Sequence, residues 1–195
     1  MSEVIATNER KSRSDALRNH ELILCTARRL FDADGVGNVT MSAIAEAAQI
    51  GKGTLYRHFP DKSELLFALI EHESQSLDAA VTERIQSGAS SIDMLHWFVD
   101  QALDYALRNN SLLCEATNHA AGASLGHHSR VWWRDVFSRL FAAAGVAPDE
   151  ASYAADTVYM MLDAHTLYFQ LNQLGYDVAS IRRNLHTLIN RIRAS

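Results

Sequence analysis

The chain has 195 residues, 48% of them hydrophobic and 21% charged, with only 9 Gly and 2 Pro. That profile excludes the collagenous, disordered and disulfide-rich classes and points to a helical globular protein whose core needs no metal or disulfide staple. The net charge of −5 conceals a division, because residues 1–60 carry 8 Lys/Arg against 7 Asp/Glu, residues 61–177 carry 6 against 16, and residues 178–195 carry 4 against none. Cys25, Cys114 and an opening Met1-Ser2-Glu3 that lacks a basic flank and apolar run lead to the expectation of a cytoplasmic protein. No apolar stretch approaches the roughly 18 residues of a membrane span.

In chain order, the first signal is basic. Arg10, Lys11, Arg13, Arg18, Arg28 and Arg29 are opposed only by Asp15 and Glu21 between positions 10 and 29. Such an arm can attract phosphate, although the same run also reads as a solvated helix face or a frayed terminus. Ile23, Ala27, Leu30 and Phe31 share one face of a first helix, which Gly35 can close in a left-handed conformation. Thr40 is a good N-cap for a short second helix from Met41 to Ala48 with the narrow apolar stripe Ile44, Ala45 and Ala48. Gln49-Ile50-Gly51 breaks it. A third helix runs from Lys52 to Phe59, Pro60 stops it, and Asp61 with Glu64 opens a long fourth helix through Leu65, Leu66, Leu69, Ile70 and Leu77.

Two short helices joined by three residues have the spacing of a helix-turn-helix. Leu55 and Phe59, four apart, would anchor the third helix and leave Lys52, Thr54, Tyr56, Arg57 and His58 outside, where a polar, basic face can meet base edges and phosphates in a major groove. A helical corner of this kind also occurs in domains that never touch DNA. The residues themselves narrow the choice. Ile44-Ala45-Glu46-Ala47-Ala48, followed by the run from Gly51-Lys52-Gly53-Thr54-Leu55-Tyr56-Arg57-His58-Phe59-Pro60 to Asp61-Lys62-Ser63-Glu64-Leu65-Leu66, resembles the DNA-binding segment of tetracycline-repressor-like (TetR family) regulators. With the first helix, the resemblance covers about a quarter of the chain. It departs from the family at Gln49-Ile50-Gly51, where Gly-Val-Ser is commoner, so the turn lacks its usual Gly and the third helix its capping Ser.

The resemblance implies that Thr40 and Ser42 meet phosphates, that Lys52, Gly53, Thr54 and Arg57 face the groove, and that Tyr56, His58 and Lys62 grip the DNA backbone. It also implies an all-α fold: a helix-turn-helix domain over residues 1–60 and a helical ligand-binding and dimerisation domain over residues 61–195, about nine helices in all.

Beyond Leu77 the reading rests on periodicity. A fifth helix from Ile92 to Arg108 takes Ser91 as N-cap and turns Leu95, Phe98, Val99, Ala102 and Ala106 inward; a sixth spans Leu112 to Ala121; a seventh runs from His127 to Ala144. Pro148, Asp149 and Glu150 open an eighth that continues to Leu174, and a ninth runs from Val178 to Arg193 with the seam Ile181, Leu185, Leu188 and Ile192. Val158 to Leu162 make the eighth helix apolar on most sides, so most sides need cover. The family supplies it, since the last two helices of each subunit usually form a homodimer interface; an ordinary monomeric core is the alternative.

A regulator of this kind needs an effector pocket. Trp97, Asp100, Tyr105, His119, Trp133, Phe137, Met161, His165 and Phe169 are its candidate lining, although helical spacing cannot separate a wall from a filling. The partners expected are a double-stranded DNA operator, a small-molecule effector and a second copy of the chain, with no membrane, no cofactor and no catalytic residue. Three rival chemistries stand against this. Glu115, His119, His127, His128 and His165 could hold a metal, and Cys25 or Cys114 could sense oxidants. Gly122-Ala123-Ser124-Leu125-Gly126 matches a hydrolase nucleophile motif with Asp163 and His165 downstream, but that motif works at a strand-to-helix turn and the chain offers no sheet.

Overall fold

A computed structural model describes the backbone of residues 2–119 and 127–194, and the side chains of residues 15–74, 77–116 and 131–193. Among the described residues there are ten α-helices, one 3-10 turn and no strand: α1 (Ser2–Asp34), the 3-10 turn Val36–Asn38, α2 (Met41–Ala47), α3 (Lys52–His58), α4 (Lys62–Gln86), α5 (Ser91–Arg108), α6 (Asn110–His119), α7 (His127–Ala143), α8 (Pro148–Met161), α9 (Ala164–Asn172) and α10 (Val178–Ala194). The chain divides into two compact units, Met1–Leu69 and Ile70–Ser195, and α4 contributes to both.

In the first unit, α1 packs on α2 and α2 on α3. Ile23, Ala27, Phe31, Ile44, Ala45, Leu55, Phe59, Leu65, Leu66 and Leu69 are its buried core. α1 starts at Ser2, so residues expected as a basic arm are helical in their backbone; the side chains of Arg10, Lys11 and Arg13 lie outside the described residues. Gly35, at φ +81°, turns the chain out of α1 while its N–H donates to the Phe31 carbonyl at 3.0 Å.

The second unit is built round α5, which packs against α6, α7, α9 and α10, while α7 and α8 form an extensive helix pair. Phe98 of α5 lies 4.6 Å from Phe137 and 5.2 Å from Trp133, ring centre to ring centre, and Tyr105 sits 5.1 Å from Trp133. The Tyr105 hydroxyl donates to the Ile70 carbonyl at 2.9 Å, and the fully buried Asn109 donates to Glu73 Oε2 at 2.7 Å and to the Tyr105 carbonyl at 3.1 Å. The polar tips of the core therefore have partners, as burial requires.

Four expectations need correction. The eighth helix does not run through to Leu174: it ends at Met161, and α9 starts afresh because the Asp163 carboxylate accepts from the His165 and Thr166 amides at 3.0 and 3.3 Å. An aspartate placed to satisfy two orphan amides outweighs the apolar run around it. The cap of α5 is Ser90 and not Ser91, since Ser90 Oγ accepts from the Asp93 amide and donates to Asp93 Oδ2 at 2.6 Å. In α10 the buried stripe is Ile181, Leu185 and Ile189, whereas Leu188 and Ile192 of the expected seam remain half-exposed. α6 begins at Asn110, two residues before its expected start.

Candidate nucleic-acid interface

The corner between α2 and α3 is made by caps and by one strained residue. Thr40 caps α2 by accepting the Ala43 amide at 3.2 Å, which leaves its hydroxyl hydrogen to donate outward. At the other end the Gln49 amide donates to the Glu46 carbonyl and the Ile50 amide to the Ala45 carbonyl, both at 3.0 Å, closing α2 around a Gln49 held at φ +55°. That is a left-handed position which glycine fills without penalty, and a glutamine there costs about 1 kcal/mol. Gly51 precedes α3 without a side-chain cap. Leu55 and Phe59 are then buried underneath, and Lys52, Gly53, Tyr56 and Arg57 are exposed on the outer face, with Thr54 and His58 half-exposed beside them. A side chain at Gly53 would meet no atom of the protein within 4 Å, so internal packing does not require this glycine and the space above it is open to another molecule.

Two of the cationic candidates differ from the exposed set. Burial holds the His58 imidazole below its ordinary pKa, and the nearby His20 and Arg57 push the same way. The His20 ring lies 6.0 Å from His58 and 4.9 Å from Phe59. At neutral pH His58 is therefore an uncharged donor, able to offer one N–H to a phosphate but no positive charge. Lys62 is half-buried, and its ammonium donates to the Val36 carbonyl while lying 5.7 Å over the centre of the Phe31 ring. Ser42 sits half-exposed in the first turn of α2.

The candidate effector residues occupy several different places. Tyr105, Trp133 and Phe137 are buried with Phe98. Trp97 carries the Arg84 guanidinium 5.0 Å above its ring. Asp100 is engaged by α10, accepting from Arg182 Nη1 and pairing with His186 Nε2, both at 2.8 Å. Arg182 also binds Asp104 at 2.6 Å, and His186 stacks on His96 at 4.5 Å, a polar seam that periodicity gave no reason to expect. Met161 and Phe169 are exposed, Met161 beside a groove of about 380 Å³ also lined by Tyr176, Ile181, Leu185, Leu188 and Arg191. His165 Nδ1 stands 3.8 Å from Cys114 Sγ, a thiol that burial and then Asp163 push up, away from reactivity. No group of three or more metal-ligating side chains occurs among the described residues. The side chains of His119, His127 and His128, and the whole of the Ser124 motif, lie outside them. No described helix is long and apolar enough to cross a membrane.

Comparison with known proteins agrees with the corner. Residues 23–69 match the family model described as bacterial regulatory proteins, tetR family. An HTH-type transcriptional regulator of Staphylococcus aureus strain bovine RF122 / ET3-1 is 27% identical over 176 residues, which cover 89% of this chain and 93% of the relative. A similar regulator from strain USA300 is 28% identical over 179 residues, with the same coverage. Among solved structures, a TetR-family transcriptional regulator from Streptomyces coelicolor aligns with a TM-score of 0.65 at 20% identity, over 90% of this chain and 94% of that one. BioQ with its natural double-stranded DNA operator aligns with a TM-score of 0.63 at 21% identity, over 90% and 98%.

Proposed function

Because the chain belongs to the tetR family of bacterial regulatory proteins and is a DNA-binding transcriptional regulator, we propose that it works as a homodimeric repressor of a palindromic operator, released by a small molecule bound in its C-terminal domain. It is not an enzyme, so the Gly122–Gly126 pentapeptide is a chance match.

The outer face of α3 carries this reading. Lys52, Tyr56 and Arg57 are exposed above a buried Leu55 and Phe59, which is the division of labour that a helix lying in a major groove demands. Thr54 and Arg57 read base edges, Gly53 admits close approach, and Thr40, Ser42, Lys52, Tyr56 and His58 bind the phosphates. Residues 1–60 serve as the reading head, and residues 61–195 bind effector and partner.

The dimer reading is supported by apolar side chains left uncovered over α8, α9 and the start of α10. Met160 is 63% exposed, Tyr168 and Phe169 52% each, and Met161, Leu174, Tyr176 and Val178 are exposed as well. Large apolar side chains left in water over neighbouring helices are what a partner surface covers. A second copy would cover it by two-fold symmetry and bring two copies of α3 about one DNA turn apart. The effector is a small, largely apolar molecule, as the ring-rich interior around Phe98 suggests. It acts by preferring a state in which α4 has shifted and the two reading heads no longer match their half-sites. A hundredfold release requires about 2.7 kcal/mol of differential affinity between the two states.

Sedimentation at micromolar concentration, with gel retardation on duplexes from the flanks of its own gene at low salt, tests the whole reading. A dimer that retards one such duplex in preference to random DNA is expected. A monomer that retards none overturns it.

A further inference from the structure

The family resemblance assigns Lys62 to the DNA backbone, yet its ammonium is turned inward, onto a carbonyl 26 residues earlier in the chain. Val36 is a buried residue of the 3-10 turn that joins α1 to α2, and its part-buried carbonyl accepts from the Lys62 ammonium. Phe31 lies under the ammonium and supplies the attractive face of its ring. We propose that Lys62 is a positioning residue of the DNA-reading unit: its ammonium, lying over the Phe31 ring, clamps the Val36 carbonyl and thereby holds the α1–α2 connection that presents Thr40 and Ser42 to phosphate.

That connection is short and is pinned along its length. It leaves α1 through Gly35 in a positive-φ conformation, and the Asn38 side chain donates back to the Asp34 carbonyl at 2.8 Å. Val39 is buried, and Thr40 then caps α2. Asn38 ties the connection to α1 and Lys62 ties it to the first turn of α4, so between them the two side chains settle where Thr40 and Ser42 stand. Holding a lysine this way costs side-chain entropy, which a solvated lysine beside Asp61 and Glu64 would keep. To grip a phosphate directly, the ammonium would have to leave a carbonyl and a ring that it already satisfies. The inference rests on the reading that Thr40 and Ser42 meet phosphate, but the clamp itself can be tested without DNA.

The chain's lysines are Lys11, Lys52 and Lys62, so pulsed reductive methylation of the wild-type protein, read by peptide mass spectrometry, reports each amine against the others. In DNA-free protein Lys62 is expected to react at least tenfold more slowly than the exposed Lys52. A retarded duplex should protect Lys52 and leave the rate at Lys62 unchanged within twofold. Equal reactivity of Lys52 and Lys62 in free protein, with protection of Lys62 appearing only on DNA, overturns the clamp. If no duplex protects Lys52, the DNA-contact reading fails instead, and the ratio in free protein still judges the clamp. As a second arm, K62M should weaken operator binding about tenfold without changing the slope of log affinity against log salt, whereas K52M should reduce that slope by about 0.9. A slope loss of about 0.9 for K62M would make Lys62 a direct phosphate ligand and sink the proposal.

Discussion

The two units of this regulator hold their functional side chains in opposite ways. In the first, the groove-facing candidates follow one another on the seven-residue α3, so neighbours in sequence are neighbours on the surface. In the second, the candidate effector residues come from α5, α6, α7, α8 and α9, and only packing decides which of them meet. The contrast explains why a contiguous motif can announce DNA binding while an effector pocket stays anonymous: a rod that enters a groove needs one face, and a cavity needs several elements at once.

The largest test of that contrast is whether the aromatic interior of the second unit is filling or wall. Phe137 is completely buried and packs edge-on against Phe98. If it is filling, Phe137→Ala should destabilise the protein by about 3–5 kcal/mol in urea unfolding, because a large cavity is left behind. A loss near 1 kcal/mol would show that the ring already borders empty space, and Phe137 would return to the list of pocket walls. In the first unit the comparable change costs binding and not folding. Arg57 is exposed, so Arg57→Ala should leave the unfolding midpoint almost unchanged while weakening operator binding by about 1–3 kcal/mol. Fluorescence anisotropy on the operator and on a scrambled duplex separates two roles: a loss confined to the operator marks a base contact, and an equal loss on both marks a phosphate contact.

What could be read from the amino acids follows the same division. Caps and punctuation marked the first unit: Thr40, Gly35 and Asp61 each carry their own local signal, and the structure uses Thr40 and Asp61 as caps, the Glu64 amide donating to Asp61 Oδ1 at 2.9 Å. Hydrophobic periodicity runs across the break between α8 and α9 and hides it, although Asp163 is a good N-cap by the same rule that marks Thr40. The Asp100–Arg182–His186 seam and the Lys62 clamp link residues 86 and 26 positions apart. No spacing rule reaches that far, and each residue alone looks like a solvent-facing charge.

Smaller effects sharpen the comparison at single caps. Asp163→Ala should cost about 1 kcal/mol through loss of the two amide bonds that start α9, with the loss seen in the second unit's hydrogen exchange and not in that of residues 23–69. Gln49→Gly should move the other way, stabilising the first unit by about 0.5–1 kcal/mol as the left-handed strain is relieved. A destabilised Gln49→Gly variant would mean that the Gln49 side chain makes a contact worth more than the strain it imposes.

The subtlest test uses the His58 imidazole of the reading head, whose ionisation is displaced. Burial first, then His20 and Arg57, hold the His58 pKa below the ordinary value of 6.5. The unfolded chain therefore binds a proton more readily at this site than the folded chain does. Its contribution to stability is complete above about pH 6.5 and is lost as pH falls through the folded-state pKa, so unfolding midpoints should decline on acidification and the decline should be shallower in His58→Gln. Operator binding has the opposite sign. Phosphate beside His58 favours the imidazolium, so affinity for DNA should rise as pH falls over the range in which the protein stays folded, and this rise should vanish in His58→Gln. Because His20 faces the same ring from α1 at 6.0 Å, His20→Gln should leave the binding trend in place and shift it toward higher pH, by removing one of the charges that oppose protonation of His58. Binding that stays flat with pH in the wild type would place His58 away from the phosphates and leave the outer face of α3 to Lys52, Thr54, Tyr56 and Arg57 alone.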